Sequence, residues 1–254
     1  MRILAIGDLH GRVPVSKSFL RENRIDIIIS PGDLPHSERI RNLIFENWGK
    51  IHEEGKNLSE IVGKSKWKKI LNEGIKSQAK VLKKLDSLGV PVFLVFGNAE
   101  HNNEIKSYLK RSINVRHVGS KSVKLNEINL VGIDAETDGN KKQIKAKKER
   151  IRVLLKRVKG PVILISHEPP YGTKFDLVKN KKSPRLNQHV GSKLVKKIIK
   201  EFNPLVNVFG HMHESFGKQK FDKTFLVNAG YGHNGYAALI DLTKGKANIK
   251  LLKL

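Results

Sequence analysis

Short apolar runs recur along the chain, and each one stops at a glycine or a serine. Their lengths of four to six residues are typical of buried strands. Between them, apolar residues at three- and four-residue steps predict amphipathic helices. The predicted strands cover residues 3–6, 25–29, 91–96, 162–165 and 205–209, and the clearest helices cover residues 15–23, 67–88 and 193–202.

A hairpin and several shorter elements complete the pattern. They are a helix to Lys110, a strand near Val115, a hairpin over residues 121–125 and 128–133, and short alternating strands over residues 219–252. Residues 173–189 show no apolar periodicity, and a loop this long usually covers or forms a site. No internal repeat or clear linker interrupts the sequence. We therefore expect a single domain over residues 1–254.

One region of this domain differs in character from the rest. From Glu38 to Leu88 the pattern is helical, with an interruption at Gly55. This is long for one connection between parallel strands, so we predict a helical insertion at about residues 37–90. It could cap a site, form a dimer face or pack as a layer on a sheet. We favour the layer.

Composition excludes several classes of protein. A hydrophobic fraction of 39% argues against disorder. The absence of cysteine excludes disulfides, thiolate metal sites and cysteine nucleophiles, so any metal must be held by Asp, Asn, Glu or His. No apolar run has the length of a membrane span, and no targeting peptide precedes the first strand. We therefore expect a cytoplasmic protein with no membrane partner.

The net charge of +25, from 49 basic and 24 acidic residues, favours phosphate-bearing partners. A nucleic acid is one such partner. A lysine-rich solvated surface is the alternative, although Glu does not rise with Lys as it does in heat-adapted proteins. Lys outnumbers Arg, whereas planar recognition of nucleic acid favours Arg. We favour a general solvated charge over a dedicated nucleic-acid surface.

The most basic stretch of the chain covers residues 141–159 and has a helical pattern. Its apolar residues lie on one stripe, which leaves the charges facing outward. We interpret it as a solvated surface helix, with a contact to a phosphate backbone as the alternative. The stripe consists of Ile144, Ile151, Leu154, Leu155 and Val158.

Side chains that bind metals follow five of the predicted strands. Asp8 and His10 are separated by one residue, and in extended backbone such residues point to the same side. Either residue alone could simply cap a turn or be solvated. The whole set is harder to explain in that way, because the carboxyl ends of strands are where sites form in open α/β sheets. The set comprises Asp8, His10, Asp33, Asn98, His167, His211 and His213.

In the order and spacing of these residues, the chain resembles the calcineurin-like metallophosphoesterases. The matching motifs are Gly7-Asp-Leu-His-Gly11, Gly32-Asp33, Gly97-Asn-Ala-Glu100, His167 and Gly210-His-Met-His213. They span nearly the whole chain. The resemblance implies an α/β fold, a four-layer α-β-β-α sandwich of two mixed sheets flanked by helices. The segments His167-Glu-Pro-Pro-Tyr-Gly and Asn228-Ala-Gly resemble a prokaryotic branch related to cyclic-nucleotide phosphodiesterases.

The resemblance also implies a centre of two divalent metal ions. Asp8, His10 and His213 would bind one ion, Asn98, His167 and His211 the other, and Asp33 would bridge both. A hydroxide between the ions would be the nucleophile. Imidazoles and carboxylates suit Mn, Fe, Zn, Co or Ni, so the ligand types do not select one metal.

The chain departs from the family pattern at Ala99, where other members commonly have a histidine that assists the phosphate or the leaving group. His101 could replace it as the catalytic acid, or His36 could reach in from the Asp33 loop. The third possibility is that no residue replaces it. Substrates that need little protonation of the leaving group would then be preferred, and this is the hypothesis that we favour.

The expected function is a metal-dependent phosphoesterase for phosphodiester or nucleotide-type esters. A nuclease acting on DNA or RNA is one alternative, which the net charge supports. A catalytically weak member of the family that serves as a binding scaffold is another, although all seven ligand positions are filled.

Overall fold

The computed structural model describes residues 1–135 and 141–254, with the side chains of residues 102–103 and 141–144 left out. The strands are β1 (Arg2–Ala5), β2 (Ile27–Ser30), β3 (Val92–Leu94), β4 (Val115–His117), β5 (Ser122–Leu125), β6 (Ile128–Ile133), β7 (Val162–Ser166), β8 (Val206–Phe209), β9 (Gly217–Phe221), β10 (Thr224–Asn228), β11 (Tyr236–Thr243) and β12 (Lys246–Lys253). The helices are α1 (Lys17–Glu22), α2 (Glu38–Glu46), α3 (Trp48–His52), α4 (Leu58–Val62), α5 (Lys64–Asp86), α6 (Asn102–Leu109), α7 (Lys141–Arg157) and α8 (Lys193–Phe202).

The strands form two six-stranded sheets, both of them mixed. The first has the order β12-β11-β1-β2-β3-β4, and the second has the order β5-β6-β7-β8-β10-β9. β1 lies near the middle of its sheet, where Leu4 pairs with Leu239 of antiparallel β11 and with Ile28 of parallel β2. The first apolar run is therefore buried by strands on both sides.

Three apolar clusters hold the layers together. The largest lies between the two sheets and includes Ile3 and Phe93 from one sheet and Ile165 from the other. The outer face of the first sheet packs on side chains such as Leu82 of α5. The outer face of the second sheet packs on side chains such as Ile198 of α8. The two-sheet α/β sandwich with flanking helices is thus confirmed.

The helical region between β2 and β3 consists of four helices rather than two. α5 buries Ile70, Val81, Leu82 and Leu85 and packs on the first sheet, as the layer interpretation requires. By contrast, α2, α3 and α4 bury none of their residues. Within residues 1–135 and 141–254, no helix is both long and apolar enough to cross a membrane.

The basic stretch forms α7, which packs on the second sheet through the buried residues Ile151 and Leu155. The side chain of Ile144, which belongs to the predicted stripe, lies outside the described residues. The predicted amphipathic character therefore agrees with the two members of the stripe that enter the core.

Candidate metal centre

The seven residues singled out from the sequence meet at one edge of the sandwich. Each follows the carboxyl end of a strand, and strands of both sheets contribute. Asp8 and His167 are fully buried, whereas Asn98 is exposed, so the cluster opens to solvent on the Asn98 side. The contributing strands are β1, β2 and β3 in the first sheet and β7 and β8 in the second.

The first group of donor atoms surrounds the Nε2 atoms of His10 and His213, which lie 3.2 Å apart. Oδ1 of Asp8 is 3.8 Å from Nε2 of His213. Oδ2 of Asp33 is 3.8 Å from Nε2 of His10. Two nitrogens and two carboxylate oxygens therefore converge on one point.

The second group lies on the other side of Asp33. Nε2 of His167 is 2.9 Å from Oδ1 of Asn98 and 3.1 Å from Nδ1 of His211. Nδ1 of His211 is 3.0 Å from the same Asn98 oxygen. Oδ1 of Asp33 lies 3.6 Å from Nε2 of His167. The two oxygens of Asp33 thus face different groups.

Hydrogen bonds behind the cluster orient two of the imidazoles. Nδ1 of His10 lies 3.0 Å from the carbonyl oxygen of Pro35, and Nδ1 of His167 lies 2.8 Å from that of Pro31. A ring that donates its Nδ1–H to a carbonyl keeps a free lone pair on Nε2, and this arrangement is common for metal-binding histidines. The free lone pairs of His10 and His167 point into the cluster, where they lie close to other lone pairs on imidazole nitrogens and amide oxygens. A cation between these atoms would satisfy them.

The electrostatics of the cluster fit a cation as well. Burial and the neighbouring His10 lower the pKa of His213 to about 3, so this imidazole is neutral at pH 7 and has a lone pair that a metal could accept. Burial also lowers the pKa of His167, but the carboxylates of Asp33, Glu168 and Asp8 outweigh it and raise the pKa to about 9. The carboxylates therefore favour a positive charge at this position, and a divalent cation on the Nε2 lone pair would supply that charge.

Four of the seven residues have left-handed backbone conformations. Their φ angles are 49° for Asp8, 38° for His10, 56° for Asp33 and 68° for His211. Such angles are uncommon outside glycine, and Asp, Asn and His tolerate them best. Backbone bonds hold the turns in place, including His10 N–H to Asp33 O at 3.1 Å. The geometry of the cluster is therefore built into the loops.

Glycine at position 97 allows the Asn98 loop to approach Asp33. A Cβ atom there would overlap Oδ1 of Asp33 and would lie 2.8 Å from Cε1 of His167. The glycine of this motif is thus needed for space. Its neighbour Ala99 donates its N–H to the same Asp33 oxygen at 2.9 Å.

A pair of side chains that the sequence analysis missed supports this loop from behind. Asp134 accepts a hydrogen bond from the Phe96 N–H at 2.8 Å, and its Oδ1 is also 2.8 Å from Nε2 of His117. The His117 ring stacks on Phe96 at a centroid distance of 3.8 Å. Asp134 and His117 thus fix the backbone just before Asn98. No motif or periodicity in the chain marks either residue.

The substitution Gly119→Ala should destabilise this support. A Cβ atom at Gly119 would overlap the carboxylate of Asp134, which must then move away from the Phe96 N–H. We expect the free energy of unfolding to fall by about 2–3 kcal/mol because a partly buried hydrogen bond is lost and the site is overpacked. Urea unfolding followed by circular dichroism measures this change.

The matched control is Gly49→Ala in α3, where the added methyl group would lie 3.6 Å from the nearest atom, a carboxylate oxygen of Glu53. Alanine has a higher helix propensity than glycine. The free energy of unfolding of this variant should therefore be unchanged or higher by up to about 1 kcal/mol. Equal stability of the Gly119→Ala variant and the unmodified protein would contradict the supporting role of Asp134.

Tyr231 is another residue of the cluster that the sequence analysis missed. Its ring stacks on His213 with a centroid distance of 4.3 Å and lies 5.6 Å from the ring of His10. Its loop is bonded to the first strand's loop, because the N–H of Gly232 donates to the carbonyl of Gly7 at 2.9 Å. An aromatic residue shortly after Asn228-Ala-Gly was the available signal. Tyr231 forms one wall of the cluster.

The two candidates for the missing histidine lie beside α5. The backbone of His101 is bonded to the Gln78 side chain, and its Nε2 lies against Gly74. The N–H of His36 donates to Oγ of Ser77 at 2.8 Å. Among the described residues, neither ring makes a hydrogen bond to the seven residues of the cluster. A catalytic role of His101 therefore stays a prediction.

Comparison with known proteins gives a consistent result. MJ1162 of Methanocaldococcus jannaschii is 28% identical over 234 residues, which cover 90% of this chain and 87% of that protein. The crystal structure of TT1561 of Thermus thermophilus is 16% identical and matches 98% of both chains with a TM-score of 0.64. Purple acid phosphatase PPD1 from yellow lupin seeds is 11% identical and has a TM-score of 0.51, covering 94% of this chain and 49% of the lupin chain. The two structures are similar to this chain in fold.

The family model described as metallophosphoesterase, calcineurin superfamily, matches residues 1–252. The chain belongs to this family, and the resemblance inferred from its motifs is confirmed at that level. Two sets of side chains have donor atoms within 4.8 Å of one another: Asp8, His10 and His213, and Asp8, Asp33 and His167. Family membership and these clusters together support a metal-dependent phosphoesterase.

Proposed function

We propose that the chain binds two divalent metal ions and hydrolyses phosphodiester or nucleotide-type phosphate esters. The observation that carries the proposal is the pair of donor groups joined by Asp33. Asp8, His10 and His213 would hold one ion, and Asn98, His167 and His211 the other. Asp33 would contribute one oxygen to each, since Oδ2 faces His10 and Oδ1 faces His167.

The donor set determines which metals fit. Nitrogen and oxygen donors without sulfur suit Mn, Fe, Zn, Co or Ni. When bound, two such ions lower the pKa of a water molecule and neutralise the oxygens of a phosphoryl group. The chain's own contribution is to hold the ligands. Buried carbonyls orient His10 and His167, and the Ala99 N–H orients Asp33.

Two features support a diester or a nucleotide as the substrate. The methyl side chain of Ala99 cannot protonate a leaving group. This favours diesters that are strained or that have a good leaving group. The net charge of +25 favours phosphate-bearing molecules. The name of the lupin neighbour, a purple acid phosphatase, also agrees with phosphate-ester chemistry on this fold.

A metal-reconstituted substrate screen tests the proposal. The chain is loaded separately with Mn²⁺, Fe²⁺, Zn²⁺, Co²⁺ and Ni²⁺, and bound metal is measured by elemental analysis. Hydrolysis is then compared for bis(4-nitrophenyl) phosphate, cyclic nucleotides, dinucleotides, mononucleotides and single-stranded DNA or RNA. We expect two ions per chain and turnover of small diesters.

Two other results would contradict this proposal in different ways. A clear preference for polynucleotide over every small diester would favour a nuclease. Two bound ions with no hydrolysis of any substrate would favour a binding scaffold.

A further inference from the structure

The outer face of α7 and α8 concentrates positive charge beside the metal centre. Residues 145–157 and 193–202 contain eleven lysines and arginines but only two glutamates. The side chain of Arg152 binds both glutamates. Nε of Arg152 lies 3.0 Å from each carboxylate oxygen of Glu201, and its Nη1 lies 3.4 Å from Glu149. Among the described side chains, no lysine of these two helices forms an ion pair with either glutamate.

Two of these lysines lie close to each other across the helix pair. The amino groups of Lys148 on α7 and Lys197 on α8 lie within hydrogen-bonding reach. This contact, together with the repulsion between two ammonium groups, lowers the pKa of Lys148. An anion between α7 and α8 would relieve the repulsion.

The same face continues to the loop that follows His167. The N–H of Tyr171 donates to the carbonyl of Ser192 at 3.1 Å, just before α8 begins. Nζ of Lys193 lies 5.1 Å from the centroid of the Tyr171 ring, and Nζ of Lys196 lies 5.8 Å from it. Both Tyr171 and His167 follow the carboxyl end of β7, so this end of the basic face lies at the edge of the second sheet that carries the metal centre.

We propose that the surface formed by Lys148, Lys193, Lys196 and Lys197 binds the phosphate backbone of a nucleic acid. Lysines act as point charges, so the contacts should be independent of sequence. The proposal goes beyond the proposed function, because binding on this face does not require hydrolysis at the metal centre.

A nucleic acid fits this surface better than an anionic membrane does. Helices that lie on membranes insert apolar side chains into the lipid. The large apolar side chains of α8, including Leu194, Ile198 and Ile199, are buried against the second sheet, as are Ile151 and Leu155 of α7. Val153 is the large apolar side chain that the described part of α7 exposes, at 44%. The face therefore offers charge with little to insert.

Charge removal on this face, matched by charge removal elsewhere, tests the proposal. The test variant carries Lys148→Gln, Lys193→Gln, Lys196→Gln and Lys197→Gln. The control variant removes the same charge from exposed lysines on β12 and on the turns beside β10 and β11, through Lys223→Gln, Lys244→Gln, Lys246→Gln and Lys250→Gln. Binding of a fluorescein-labelled 30-nucleotide phosphorothioate strand, which resists hydrolysis, is followed by anisotropy with the metal-loaded proteins.

We expect the Kd of the test variant to rise on the order of 100-fold in 0.1 M salt, and its log–log salt slope to become shallower by about 3. The control variant should change by less than about fivefold. Both variants should hydrolyse bis(4-nitrophenyl) phosphate as the unmodified chain does. If that ester is not hydrolysed by any of them, the proposed function fails while the binding result still decides this inference.

Equal weakening in both variants would show a general charge effect and overturn the proposal. So would a second pattern, in which the test variant loses binding to vesicles of phosphatidylcholine and phosphatidylglycerol but keeps its affinity for the oligonucleotide. That pattern would assign the face to a membrane surface instead.

Discussion

The variant Asp33→Asn is expected to lose activity by roughly 10³-fold or more and to retain at most one metal ion, while its fold is preserved. The substitution removes one negative charge and places an NH₂ group or an oxygen where Oδ2 faces His10. The backbone should tolerate it, because asparagine accepts the left-handed φ of 56° that Asp33 adopts. Elemental analysis, diester hydrolysis and circular dichroism measure the three outcomes.

A second aspartate in the chain provides the control. Asp222 lies in the turn between β9 and β10, is exposed and has a φ of 52°. Asp222→Asn makes the same chemical change in the same backbone conformation, at the end of β9 that lies away from the His213 loop. It should keep full activity and both ions. An active Asp33→Asn protein with two bound ions would rule out Asp33 as the shared ligand.

The rate of hydrolysis should depend steeply on the leaving group. A general acid typically contributes 10²–10⁴-fold, and most where the leaving group is poor. Without a histidine at position 99, alkyl diesters should be hydrolysed more slowly than nitrophenyl diesters by a factor of this order. This factor comes in addition to the difference in their uncatalysed reactivity. Ala99→His should recover part of it, since the Ala99 N–H already lies 2.9 Å from Asp33. A series of aryl and alkyl diesters of graded leaving-group pKa measures this dependence.

His101→Ala decides whether His101 takes the acid's place. Because its ring lies against Gly74 of α5, we expect both ester types to slow equally and by less than tenfold. His52→Ala, an exposed histidine on α3, is the control and should change neither rate. Selective slowing of alkyl esters in His101→Ala would assign the acid role to His101. A shallow leaving-group dependence in the unmodified chain would contradict our preferred hypothesis.

The fold could be predicted where local pattern and tertiary burial agree. The run at residues 3–6 is apolar throughout because β1 has strands on both sides and layers on both faces. The hairpin of β5 and β6 follows from two short runs separated by a turn. The split of the helical region into α2 to α5 was less visible, because α2, α3 and α4 bury no residues and so leave a weak apolar pattern. That residues 1–254 form one domain with a helical insertion stays a prediction.

The positions of the candidate ligands could be predicted because each follows a strand, and parallel strands bring their carboxyl ends to one edge. The residues that surround these ligands could not be predicted. Tyr231 reaches His213 through a loop that closes on the first strand, and Asp134 meets Phe96 from the other sheet. Such contacts depend on how distant loops meet, and no periodicity along the chain records them.

The left-handed backbone at Asp8, His10, Asp33 and His211 affects how the centre can evolve. A non-glycine residue held in this region costs on the order of 1 kcal/mol or more, and glycine would remove that cost. A descendant that exchanged these four residues for glycine would lose the ligands and relieve strain in the fold. Selection for stability alone would therefore erode the centre. Retention of all four side chains in a related chain would indicate that natural selection still acts on the chemistry of the centre.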